Sequence, residues 1–136
     1  MRVLVLNVLL LAGVAAAIVG VEAWDRPEAS VEASVRRYAS AVTAGDFDSA
    51  MAEIAPSERP QWNDWVRGQL GNEYTVTGVA VRAGWLLGAP TEVTTDMDVN
   101  RDYPDQFYQA SPRVAVALED GRWYLRAPLL APASEL

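Results

Sequence analysis

The sequence predicts an α+β protein: an N-terminal membrane helix, then a domain in which three helices pack on a curved antiparallel sheet. Three observations carry this reading. Residues 3–21 contain no charged side chain. From Pro27 to Leu70 the apolar residues recur at helical spacing. After Gly71 the period changes to two. Helices segregated from strands in chain order define the α+β class.

The uncharged run holds one strongly polar residue, Asn7, and is long enough to cross a bilayer as a single helix. Arg2 precedes it, while Glu22 and Asp25 follow, so the positive-inside bias places the N-terminus in the cytoplasm. The expected organisation is a signal-anchor over 1–23, an extracytoplasmic domain over 24–128 and a flexible tail over 129–136. A cleaved secretory signal is the competing reading, with small-residue sites at Ala15-Ala16-Ala17 and Val21-Glu22-Ala23. No Cys follows the run, which excludes a lipoprotein anchor. Asn7, Gly13, Ala17 and Gly20 are the residues expected to pack against other membrane helices.

About 110 residues remain beyond the anchor, enough for one domain. The net charge is −7 and every basic side chain is Arg. With no basic stripe to neutralise phosphates, a nucleic-acid partner is not expected. The chain has no His, no Cys and no Lys. Imidazole catalysis, thiol nucleophiles, His- or Cys-ligated metals and Schiff bases are thereby excluded. Carboxylates, Arg, Tyr, hydroxyls and backbone are left for chemistry, and no metal or cofactor is expected.

Asp25 and Glu28 form a capping pattern around Pro27, which suits a first helical turn. Val31, Val35, Tyr38, Ala39 and Val42 make one apolar stripe, and Gly45 ends that helix. Asp46 caps a second helix from Phe47 to about Ala55, closed by Pro56. Ser57 is placed to cap a third, running to about Leu70, whose apolar side is Trp62, Trp65, Val66 and Leu70. Tyr74 and Val76, then Val79 and Val81, predict a strand with an irregularity at Gly78. A second strand region joins Trp85-Leu86-Leu87 to Val93, Thr95, Met97 and Val99, and Asn100–Asp105 reads as a polar turn. Phe107 to Leu118 reads as one long strand kinked at Pro112, then a hairpin turn at Asp120-Gly121 and a last strand from Trp123 to Ala127.

Two stretches carry a family resemblance. Tyr38-Ala39-Ser40-Ala41 leading to Gly45-Asp46-Phe47 resembles the helix pair that opens nuclear-transport-factor-2-like domains. Glu119-Asp120-Gly121-Arg122-Trp123 resembles their final hairpin. The resemblance spans roughly 28–128 and implies a cone-shaped domain of three helices packed on a curved antiparallel sheet. It implies little about activity, because this fold hosts many.

Within that superfamily, Tyr38 lies where ketosteroid isomerases carry a tyrosine that donates a hydrogen bond to a developing enolate oxygen. That chemistry also needs a carboxylate base and a protonated acid. Here Arg113–Ala117 has no carboxylate, and after the second helix only Glu58 stands near the place of the base. Asp64 and Arg67 faintly resemble the water-activating set of limonene epoxide hydrolases, without a convergent third group. Asp96, Asp98, Asn100, Asp102 and Asp105 start like a calcium loop but lack its Gly and Glu, leaving a solvated polar face. Tyr38, Trp62, Trp65 and Tyr108 are the candidates for a cavity or ligand site. The same tryptophans, with Tyr103, Phe107 and Tyr108, could instead be core or form a partner surface.

The expected function is a non-enzymatic, membrane-anchored interaction module: an accessory or scaffold subunit of a bacterial cell-envelope or membrane protein complex. The design is similar to that of type IV secretion scaffold subunits and of proteins associated with mammalian-cell-entry lipid transporters. The alternatives are a small-ligand or lipid-binding domain using the cone cavity, or a ketosteroid-isomerase-like enzyme.

Overall fold

Pro27 opens α1 (Pro27–Ala44) in a computed structural model that describes residues 27–85, 88–102 and 105–132. The fixed φ of proline suits a first turn, where its missing N–H has no partner to lose. Val31, Val35, Tyr38, Ala39 and Val42 form the buried stripe the spacing predicts, together with Ser34 and Ala41. Gly45, at φ +71°, ends α1. Its N–H donates to Val42 O at 3.0 Å and the Asp46 N–H to Ala41 O at 2.9 Å, the paired bonds of a Schellman cap.

Asp46 then caps α2 (Phe47–Met51), accepting from the Ser49 N–H at 3.2 Å and its hydroxyl at 2.6 Å. These bonds hold the Asp46 carboxyl below its usual range. The expected run to Ala55 stops four residues early. Residues 53–55 instead leave the helix to pair with the last strand: Leu125 N–H donates to Glu53 O and Ala55 N–H to Leu125 O. Ser57 does not cap the third helix. It sits in a 3-10 turn (Pro56–Glu58), and its N–H and hydroxyl reach Glu119 at 3.3 and 2.7 Å. The helix proper is α3 (Arg59–Gln69).

The sheet has five strands: β1 (Glu73–Ala83), β2 (Pro90–Asp102), β3 (Asp105–Ala110), β4 (Arg113–Glu119) and β5 (Arg122–Leu125). All named pairings are antiparallel. β1 bulges between Val76 and Gly78, as the irregular alternation predicts. Asn100–Asp102 extends β2 rather than forming a turn, because all three residues pair with β3 and Asn100 also pairs with Glu73 of β1. The single long strand expected over 107–118 is two. β3 pairs with the C-terminal half of β2, whereas β4 pairs with Glu92–Thr94 and then with β5. Splitting one edge of β2 between two partners curls the sheet into a half-barrel, and the helices fill its concave face. Trp85 is in a turn, not a strand.

The segment after β5 is not loose where it is described. Ala127 and Leu129 are buried in the core, and Leu130 and Ala131 pack against it; residues 133–136 lie outside the described ones. Among the described residues no helix is long and apolar enough to cross a membrane. The run over 3–21, with Asn7, Gly13, Ala17 and Gly20, lies outside the described residues.

Candidate functional site

Side chains alternate across a strand, so Val93, Thr95, Met97, Val99 and Arg101 share the concave face of β2. Val99 stands opposite Tyr74 on β1 and Tyr108 on β3. Directly opposed residues point to the same face, so Tyr74, Tyr108 and Arg101 gather at one end of the cone. That end is where α1 finishes: Thr43 Oγ1 accepts from the Tyr74 N–H at 2.9 Å and donates to Ala39 O at 3.0 Å. Tyr38 enters from α1, close enough for Tyr74 to affect its ionisation.

The site is rich in hydrogen-bond donors. Tyr74 Oη donates to Gln69 Oε1 at 3.0 Å, and the Asn72 amide donates to the same oxygen at 3.0 Å. Among the described residues four buried polar atoms across the concave side have no hydrogen-bond partner: Tyr38 Oη, Trp62 Nε1, Thr95 Oγ1 and Arg101 Nε. They come from α1, α3 and two points on β2. Tyr38 and Trp62 are 0% and 1% exposed, so the surrounding side chains close them off from water. Burial, and secondarily the neighbouring Tyr74, pushes the Tyr38 phenol well above its usual range. Burial and Tyr108 likewise raise Tyr74, against the opposing pull of the Asn72 amide and the Arg101 charge. Both phenols therefore keep their protons.

The buried carboxylate of the described core, Glu53, is committed elsewhere. It accepts from Ser34 Oγ at 2.6 Å, from Arg37 Nε at 2.6 Å and Nη2 at 3.2 Å, and from Arg122 Nη2 at 3.1 Å. Burial alone would raise its pKa; the bonds from Arg37 and Ser34 and the two Arg charges outweigh that and hold it low. Glu53 thus locks α1 to β5. Glu58 lies in the turn before α3, and Asp64 is exposed on α3. Arg67 does not join Asp64 in an active set; its guanidinium stacks over Phe47 at 3.8 Å. Asp96 is exposed and accepts from Ser111 Oγ at 2.7 Å, and no metal-holding group occurs among the described residues.

Of the sequence candidates, Tyr38, Trp62 and Tyr108 belong to this concave side, Tyr108 half-buried at its edge. Trp65 is half-buried against Trp62 in an edge-on pair, ring centroids 6.5 Å apart. The tryptophan pair is not the exposed surface that one reading anticipated. Tyr74 and Arg101 join the site without standing out in the sequence. The alternation of β2, carried two residues past Val99, places Arg101 on the inner face, but the polar run that contains it reads as a turn.

Open grooves elsewhere include one between α1 and α2, about 540 Å³, lined by Arg37, Ala41, Asp46 and Glu53 among others. No protein-family profile and no curated protein matches the chain in sequence. Solved structures similar to part of it include two of low sequence identity. One is a SEC-C motif containing protein from Rhodopseudomonas palustris, 20% identical, with a TM-score of 0.43 over 63% of this chain and 66% of that one. The other, from Xanthomonas campestris, is provisionally named a polyketide cyclase; it is 18% identical, with a TM-score of 0.46 over 71% of this chain and 87% of that one. The chain thus spans just under two thirds of the first protein's length.

Proposed function

We propose that this is a nuclear-transport-factor-2-like binding module, held at the outer face of a bacterial membrane by its N-terminal apolar segment. In its cone it takes a small, largely apolar ligand bearing an acceptor oxygen. The carrying observation is the set of four buried polar atoms without partners: Tyr38 Oη, Trp62 Nε1, Thr95 Oγ1 and Arg101 Nε. Leaving such a group unpaired in a dry interior costs about 1–3 kcal/mol. A ligand oxygen at the Tyr74–Tyr108 end would answer Tyr38 Oη and Arg101 Nε, both neighbours of Tyr74, and Arg101 favours an anionic one such as a carboxylate. Thr95, six residues from Arg101 along β2, lies about 20 Å from it and would meet a different part of the ligand. The concave face supplies donors without a free carboxylate beside them, so the site is suited to holding a ligand and not to abstracting its proton. Tyr38 and Trp62 are closed to water, so entry displaces side chains on the Tyr108 side, where β3 pairs with β2 alone.

Native mass spectrometry of the full chain, extracted in mild detergent, tests the proposal. A retained small molecule that is lost in Tyr38→Phe and Arg101→Ala variants is the expected result. A bare chain under every gentle condition overturns it. A second reading, an accessory or scaffold subunit of an envelope complex, is favoured by Phe107 and Leu118, 66% and 55% exposed. It predicts co-purifying chains that Phe107→Ser releases.

A further inference from the structure

Between Ala83 and Pro90 the chain holds no charged residue, although 21% of the whole sequence is charged. This stretch joins β1 to β2, and Gly84 and Gly88 close its turn through Gly84 N–H to Ala89 O at 2.7 Å and Gly88 N–H to Gly84 O at 2.9 Å. Trp85 stands on it 93% exposed, the most exposed large apolar side chain of the described residues. An indole so placed covers nothing in this domain. Leu86 and Leu87 follow in sequence and lie outside the described residues; nothing below depends on them.

The position of this turn decides what it faces. Thr43, at the end of α1, bonds the backbone of Tyr74 at the start of β1. Glu28, Ala29 and Glu32, at the other end of α1, line one groove with Val79 and Val81 of β1. Helix and strand therefore run antiparallel, and β1 continues past the start of α1 towards Trp85. β1 runs two residues past Val81 to Ala83, about 7 Å of strand, and Trp85 follows in the turn beyond it. The chain enters α1 at that same end, five residues after the uncharged run closes at Val21. Five connecting residues, even fully extended, span at most about 18 Å. The turn bearing Trp85 and the entry of the chain into α1 therefore lie at the same end of the domain.

We infer that Trp85 is a second membrane contact, seated in the interfacial layer of the same bilayer that holds the N-terminal segment. Tryptophan prefers that layer, with its ring among the acyl chains and its N–H towards water. One anchor leaves the domain free to tilt and spin; a second contact fixes which side of the cone faces the lipid. This inference rests on the anchoring proposed above.

The absence of cysteine allows unique labelling. Trp85→Cys, Asp120→Cys and Ala17→Cys variants of the full chain would each carry one nitroxide, in phosphatidylcholine–phosphatidylglycerol vesicles. Relaxation by oxygen against a water-soluble nickel chelate gives the depth of each label. The expected result is a severalfold loss of nickel accessibility at 85 relative to 120, with 17 deep in the bilayer. A label deep at 17 but as water-accessible at 85 as at 120 overturns the second contact and leaves the anchor standing. A label at 85 shielded from oxygen as well as from nickel also overturns it, because lipid admits oxygen whereas docking on protein excludes both. A water-accessible label at 17 overturns the anchor and the inference with it.

Discussion

Tyr38 and Glu53 are two buried polar residues in opposite situations. Glu53 has every acceptor position used, by Ser34, Arg37 and Arg122. Tyr38 has a hydroxyl and nothing to give it to. Tyr38→Phe should therefore raise the stability of the unliganded domain by about 1 kcal/mol and, on the proposed function, weaken ligand binding, since it deletes an unmet donor and leaves the packing unchanged. Thermal unfolding with and without the co-purifying molecule checks both halves. Glu53→Ala should lower stability by about 2–4 kcal/mol in urea unfolding, because Ser34 loses its acceptor and two guanidinium groups lose their shared charge. The pH dependence follows from the signs of the shifts. The folded pKa of Glu53 lies below its unfolded value, so its contribution is complete above about pH 4.3 and disappears as pH falls through the folded value. Tyr38 and Tyr74 are raised, so their protonated forms sustain the fold below about pH 10, and stability falls as pH climbs from there towards their folded values. A urea series across pH should show a plateau between these limits.

At the scale of elements, the α1–α2 corner was legible in the chain because its chemistry is local. Gly45 sits at φ +71° with nothing within 4 Å of a built Cβ, so its role is backbone conformation alone. Gly45→Ala should cost about 1 kcal/mol, and Gly45→Asn less, by the same unfolding measurement. The Asp120-Gly121 hairpin was legible for the same reason: both residues have positive φ, which that dipeptide tolerates. The strand breaks were not. Phe107 to Leu118 alternates like one strand, yet it divides at Ser111-Pro112 because β2 offers two different pairing partners along one edge. Likewise, Ser57 has a cap-forming hydroxyl at a suitable offset, but Glu119, 62 residues away, takes it. The shortening of α2 also follows from a distant partner, the backbone of Leu125.

At the scale of the whole molecule, the last described residues complete the core. Leu129 is fully buried, so Leu129→Ala should cost about 2–5 kcal/mol, and truncation after Pro128 should lose at least as much. A truncated chain with unchanged thermal unfolding would show that the core closes without it. Two Pro and weak periodicity hid this segment, since it packs as irregular chain across elements far away in sequence. What the residues themselves settled were the helix and strand periods, the caps and turns, the uncharged N-terminal run, and the chemistries excluded by missing His, Cys and Lys. These depend on neighbours within a few positions, or on composition. Tertiary structure alone decided that Tyr38, Trp62, Thr95 and Arg101 are buried without partners, that Glu53 is spent on a lock between α1 and β5, and that Trp85 projects from the end where α1 begins. The physical reason is that each is a statement about which distant groups are close. Alternation shows which face a residue takes, but only the register of the curled sheet shows what that face meets.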